Sequence, residues 1–362
     1  MKFRKKDKKM KVYNVLTLIG IGGILSLFAF ITLYVDPVFH YHAPLQRWGY
    51  ELFDERYQND GIVRHFDYDA IITGTSMTEN FRTSLFDKIF EVKSVKTSFQ
   101  GGAYKEIDEN LKRAFKENKN IKVVVRGLDI DSINNEWDAD YVGVTRDGYV
   151  FPTYLTDDNV FNDVSYLWNK TIFINYTLRD ILVRNEEPTS FDEYANWSDY
   201  ADYGLDAILQ TYDRRENTNE EYVFSDIDRS RLKKMVEHNI LEVCKENPNT
   251  EFYLFWAPYS ICWWDDIEKA GITNYKIDSV EYAIELMKEC PNIRIFLFIE
   301  NYDAVCNLDN YKDTRHYGEW INDDMLQWMH DGKYEITKDN YEQHIENIRE
   351  FYNNYDYDSI YE

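Results

Sequence analysis

Apolar positions along this chain fall into three patterns. The first is one unbroken run, since no charged residue occurs from Val12 to Val35. At 1.5 Å per residue those 24 residues make a helix of about 36 Å, longer than the roughly 30 Å of a bilayer's hydrocarbon core. The second pattern is a set of short runs ending in small or polar residues: "DAIITGTS" (69–76), "SVKTSFQGG" (94–102), "IKVVVRGLDID" (121–131), "EFYLFWAP" (251–258) and "IRIFLFIEN" (293–301). Runs of this length, rich in β-branched and aromatic residues, predict strands, most of them covered on both faces. The third is a spacing of four. Ile107, Leu111 and Phe115 recur in "AYKEIDENLKRAFKEN", and Leu232, Val236 and Ile240 in "RSRLKKMVEHNILEVCKEN". Each series predicts a helix with one apolar stripe, and "DSVEYAIELMKEC" adds another.

Strands and helices alternating at this spacing predict βαβ units. The expected fold is α/β, a three-layer α/β/α sandwich around a parallel sheet of about five strands, with right-handed crossovers. Residues 134–225 break the alternation. They are acidic, aromatic and turn-rich, and are read as an insertion that caps the carboxyl edge of the sheet. The chain therefore divides into a basic tail (1–11), an anchor (12–35), a lead-in (36–67), an α/β domain (68–350) and an acidic tail (351–362).

Charge orients this scheme. The first 11 residues hold seven Lys or Arg against one Asp, while the whole chain carries −24. A basic flank stays in the cytoplasm, which expects a single-pass anchor with its C-terminal domain outside the membrane. A strongly acidic ectodomain repels phosphate backbones, so nucleic acid is not an expected partner. Cys244, Cys262, Cys290 and Cys306 lie on the side where disulfides are permitted, and read as buried thiols or as one or two staples. No metal spacing and no phosphate loop occur, so neither a metal nor a cofactor is expected. Thirty tyrosines and nine tryptophans are enough to line a carbohydrate groove or to pack half-exposed surface. Tyr259, Trp263 and Trp264, after the fourth predicted strand, are candidates for a sugar-stacking wall or for core.

In open parallel sheets, ligands bind at the carboxyl ends of strands. Three features are predicted there: Ser76 in "GTS", the pair Gly101-Gly102 in "QGG", and Asp313 with His316 in "DTRH". Serine becomes a nucleophile at neutral pH only beside a base, and a carboxylate fixes that base's tautomer. The predicted roles are Ser76 as nucleophile, His316 as base and Asp313 as its orienter. The amides of Ser76 and Gly102 are the candidate oxyanion donors.

Those three blocks resemble the SGNH, or GDSL-like, hydrolase superfamily, over about Tyr68 to Met329 apart from the insertion. The closer likeness is to its membrane-anchored extracytoplasmic branch, which includes the teichoic-acid D-alanylation and alginate O-acetylation proteins. The resemblance implies a serine esterase or O-acyltransferase acting on acyl esters of a cell-envelope glycopolymer, with a multi-pass membrane protein as acyl donor in the transferase case. Two departures stand out. Thr75 occupies the place of the usual Asp in the first block. The third block, which supplies an asparagine, has no counterpart in "RGLDIDSINNEW", leaving Asn134 or Asn135 as the candidate donor. The missing block and the aromatic insertion fit a second reading, a non-catalytic SGNH-like protein that binds or assembles envelope polysaccharide.

Overall fold

The computed structural model describes residues 2–139, 152–157, 159–218 and 220–361. Helix α1 (Lys2–Val35) is followed by α2 (Glu55–His65), β1 (Ala70–Gly74), α3 (Thr83–Phe90), β2 (Ser94–Ser98), α4 (Tyr104–Glu117) and β3 (Val123–Leu128). The insertion contributes the short helices α5 (Val164–Leu167) and α6 (Leu178–Val183), a further short helix at Leu205–Leu209 and, among its described residues, no strand. The chain then forms α7 (Asp226–Val236), a π-helical turn (Glu237–Leu241), α8 (Glu242–Glu246), β4 (Glu251–Trp256), α9 (Ile261–Lys269) and α10 (Thr273–Met287). Last come β5 (Ile293–Leu297), α11 (Glu319–His330), β6 (Glu335–Ile336) and α12 (Tyr341–Asn354).

The fold is α/β, built on a six-stranded mixed sheet of order β2-β1-β3-β4-β5-β6. Neighbours from β2 to β5 pair in parallel, and the two-residue β6 adds an antiparallel edge absent from the expected sheet. Burial explains the apolar runs. Ile71, Ile72, Val124 and Val125 expose nothing, and burying each such side chain contributes about 1.5–3 kcal/mol. Helices pair in two groups: α3 with α11, and α4 with α8, α7 with α10, α10 with α12. Right-handed crossovers separate helices in this way, because the step from β1 to β2 runs opposite to the later steps. That reversal lies between β2 and β3, on either side of β1, so the sheet's switch point is at the carboxyl end of β1.

Three segments differ from expectation, and the cysteines take one of their two expected states. Within the lead-in, α2 belongs to the domain, packing on α4 and β2 with Ile62 and Val63 buried. The acidic tail docks: Tyr357 is buried, Tyr361 Oη donates to Asp265 Oδ2 (2.9 Å), and Asp358 pairs with Arg214. The four cysteines are free thiols, three of them buried, and burial pushes all four upward in pKa. Finally, the insertion covers more than the carboxyl edge, since α5 also packs on α1; its residues 140–151 lie outside the described residues. Helix α1 is long and apolar enough to cross a membrane.

Candidate active site

Strand β1 ends in a glycine because the chain must turn sharply there. Gly74 has φ +150°, and a Cβ on it would meet Thr78 Cγ2 at 2.8 Å and the Gly127 amide nitrogen at 3.1 Å. A larger residue would push the next turn off β3. That turn is a 3₁₀ segment, Ser76–Thr78, closed by Thr78 N–H donating to Thr75 O (2.9 Å). Three buried side chains clamp it. Lys96 Nζ, from β2, donates to the carbonyls of Glu79 and Phe81. Asn322 Nδ2, from α11, donates to Met77 O (3.1 Å), and Thr78 Oγ1 meets Ser98 Oγ at 2.8 Å. Burial pushes the Lys96 ammonium down to about 7 despite the carboxylates of Asp192, Glu79 and Glu55 around it.

The far end of the chain returns to this turn. Asp313 and His316 sit on a tight loop pinched by a bridge between Tyr311 and Tyr317, with Lys312 N–H donating to His316 O (3.0 Å). Two tethers hold the loop to the end of β4. Tyr311 Oη donates to Pro258 O (2.6 Å), and Ser260 Oγ donates to Thr314 O (2.7 Å). A third contact, Arg315 Nε to Asp131 Oδ2 at 2.6 Å, is partly exposed and contributes about 0–1 kcal/mol.

In the resulting geometry Ser76 Oγ lies 2.7 Å from His316 Nε2, and His316 Nδ1 lies 2.8 and 3.0 Å from the two Asp313 carboxylate oxygens. With Nδ1–H given to Asp313, Nε2 is left as the acceptor facing the serine hydroxyl. Burial alone would raise the Asp313 carboxyl. The His316 ring and the amides of His316 and Arg315 outweigh it, holding Asp313 at about 2. The carboxylate is therefore a fixed negative charge at any working pH.

The expected donors are distributed differently. Ser76 N–H has no acceptor among the described residues and stands at the start of its 3₁₀ turn. Gly102 N–H is used: it donates to Phe99 O (2.8 Å), closing a turn for which Gly101 supplies a positive φ of 61°. A Cβ on Gly102 would also meet Phe99 Cβ at 2.7 Å. Tight backbone closure accounts for the glycine pair, and the Gly102 amide is taken up by that turn. Glu55 and Arg56 of α2 hold this loop by its Gln100 N–H and carbonyl (2.8 and 2.9 Å). Asn134 Oδ1 accepts from Ser279 Oγ on α10 (3.2 Å), while its Nδ2 is buried with no hydrogen-bond partner among the described residues and no hydrogen bond joins it to Ser76, His316 or Asp313. Trp263, Trp264 and Tyr259 are 1%, 0% and 2% exposed, Trp264 stacking on Tyr352 at 3.5 Å. They are core, and no sugar can reach them.

Trp197, from the insertion, takes the place next to the histidine. Its ring stands edge-on to His316 at 5.5 Å and carries Lys312 Nζ 3.5 Å above its face. Asn80 fixes it, accepting from Trp197 N–H (3.1 Å) while Nδ2 donates to Tyr317 O (3.3 Å). Sequence reasoning missed Trp197, Asn80, Lys312 and Ser260. Their one signal was position, four residues past Ser76 for Asn80 and one before Asp313 for Lys312. Burial lowers the Lys312 ammonium, while Asp313 and Glu79 pull it back up.

No family model matches the chain, and comparison with individual characterised proteins finds no match either. The site's chemistry rests on its geometry.

Proposed function

We propose that this chain is a membrane-anchored serine esterase or O-acyltransferase of SGNH-like architecture, whose domain lies on the extracytoplasmic side. The observation that carries the reading is the unbroken chain from Ser76 Oγ through His316 to Asp313, at 2.7 and 2.8 Å. It stands at the switch point of a mostly parallel sheet, and its members are 240 and three residues apart in sequence.

In this mechanism His316 Nε2 takes the hydroxyl proton as Ser76 Oγ attacks an ester carbonyl, and the imidazolium is stabilised by Asp313. The carbonyl oxygen becomes negative and is met by the Ser76 amide. Collapse expels the alcohol, which takes the proton back from His316 and leaves an acyl-serine. Water then completes an esterase cycle; a sugar hydroxyl, activated by the same imidazole, completes a transferase cycle. Acyl esters of an envelope glycopolymer are the proposed substrate class, and the acyl donor of a transferase would be a multi-pass membrane protein. Trp197 and Lys312 form the wall nearest the histidine and are proposed to contact the substrate.

The engagement of the Gly102 amide by Phe99 O favours a second reading, a non-catalytic envelope-binding or assembly protein. A fluorophosphonate probe separates the two. Full-length protein should label covalently, and Ser76→Ala should abolish labelling. A folded protein that stays unlabelled across pH 6 to 9 would select the binding reading. Acyl release measured with and without a glycan acceptor then distinguishes hydrolysis from transfer.

A further inference from the structure

Between Val160 and Val183 the insertion exposes an apolar surface that no part of the described chain covers. Phe161 is 86% exposed and Leu182 78%, and Val160, Val164, Trp168, Ile174 and Leu178 are exposed as well. The positions are ordered. Val164 and Trp168 are four apart, as are Ile174, Leu178 and Leu182, so each set forms one stripe along a helical stretch. The opposite face of the same stretch is buried on the domain, through Tyr166, Ile172 and Tyr176. An exposed apolar patch of this extent is an aggregation liability in water and marks an interaction surface.

Its place identifies what covers it. Phe173 stacks on Phe28 of α1 at 3.6 Å, and Trp168 Nε1 donates to the Leu25 carbonyl at 2.9 Å. Both contacts fall within the apolar span Lys9–Val35. At 1.5 Å per residue Phe28 and Leu25 lie roughly 10 and 15 Å below the helix end at Val35, which is the outer half of a hydrocarbon core about 30 Å thick. The joint is fixed. Asp36, just past α1, accepts from Tyr166 Oη (2.6 Å) and from the amides of His40, Tyr41 and His42, while Asp163 takes Tyr41 Oη (2.9 Å). Lipid surrounding α1 at the level of Leu25 therefore meets the insertion's stripe as well.

We infer that residues 160–183 are a second membrane element, an amphipathic segment sunk into the outer-leaflet side of the bilayer that α1 crosses. The occupant of the apolar surface is the acyl-chain layer of that bilayer. Trp168 sits as a ring with its N–H satisfied and its body in hydrocarbon. Lys170 and Arg179, both exposed, have side chains long enough to reach the headgroups, and Arg179 pairs with Glu51. Downstream, Gly49 N–H donates to Arg184 O and Thr189 N–H to Tyr50 O, and the chain proceeds to Trp197 beside His316. One insertion thus links the lipid face to the serine.

The inference rests on α1 crossing the membrane, and the experiment tests the two separately. Full-length protein with Cys306→Ser, which removes the one native thiol that is not fully buried, would carry single cysteines by Phe161→Cys, Leu182→Cys, Ile21→Cys or Ile227→Cys. Each is labelled with an environment-sensitive fluorophore in nanodiscs containing nitroxide acyl-chain lipids. Phe161 and Leu182 should lose fluorescence to an extent comparable with Ile21, on α1. Ile227, apolar and 72% exposed on a helix that packs on α10, should be quenched only by aqueous iodide. Quenching of Ile21 with iodide access at Phe161 and Leu182 overturns the inference and leaves the anchor standing. Shielding of both positions from lipid and iodide alike overturns it in favour of a second copy of the chain. An unquenched Ile21 removes the anchor, and the inference with it.

Discussion

At the scale of single residues, the site depends on groups whose pKa the fold moves away from the solution value. Asp313 is held at about 2, below the ordinary carboxyl near 4. Its ionised form therefore adds stability at pH above about 4, and this is lost as pH falls from about 4 to about 2. Asp313→Asn should lack that acid-limb dependence in thermal unfolding. It should also slow acylation of Ser76 by on the order of 10⁴, since the histidine loses its tautomer control. Lys96 runs the opposite way. With its folded value near 7, the unfolded chain binds a proton between about pH 7 and 10 that the folded chain does not, so stability rises with pH across that window. Lys96→Met should flatten this slope in melting curves. It also leaves the Glu79 and Phe81 carbonyls without their donor, a loss of about 1–3 kcal/mol, and should slow probe labelling.

At the scale of elements, the serine turn is a contact surface as much as a loop. Gly74→Ala forces the Thr78 side chain away from β3, and with a φ of +150° it is strained even where space is found. A fall in stability of about 2 kcal/mol or more, read by chemical unfolding, is expected together with loss of labelling. Asn80 links the turn to both Trp197 and the histidine loop. Asn80→Ala should change global stability by only about 1 kcal/mol while reducing labelling rate, because it frees Trp197 from His316. Equal losses in stability and rate would make Asn80 a structural residue alone.

At the scale of the whole molecule, the two ends of the chain matter more than their composition suggests. The terminal segment docks through Tyr357, Asp358 and Tyr361 onto the region of Asp265 and Arg214. Deleting residues 355–362 should lower the melting temperature, whereas a solvated tail could be removed without effect. At the other end, an N-terminal tag should be protease-accessible in inside-out vesicles and a C-terminal tag protected, as the basic flank requires.

Much of this was legible in the sequence. The helix long and apolar enough to cross a membrane needs only a count of uncharged residues, because hydrocarbon admits little else. The parallel strands announce themselves by continuous apolar runs, because both faces of each are covered. The Ser76, Asp313 and His316 set was readable because a hydroxyl just after the first strand and an Asp-x-x-His pair beyond the last parallel strand both fall to the carboxyl edge of the sheet. Other signals were ambiguous in one dimension. A tryptophan pair after a strand reads equally as groove or core, and packing against Tyr352 decides for core. Tyrosines in excess read as binding surface, yet Tyr311 and Tyr352 are fully buried with their hydroxyls on carbonyls. A double glycine reads as an anion nest, and only the Phe99 carbonyl shows that its amide is taken.

The sequence by itself thus determined a helix long and apolar enough to cross a membrane, the α/β alternation and the candidate triad, because each follows from local composition or from the period of one element. Tertiary structure alone decided which amides remain free at the serine, that the insertion brings Trp197 to His316, and that its apolar stripe lies beside Leu25 and Phe28. Those facts depend on partners distant along the chain, and a residue's own neighbours carry no record of which partner it will meet.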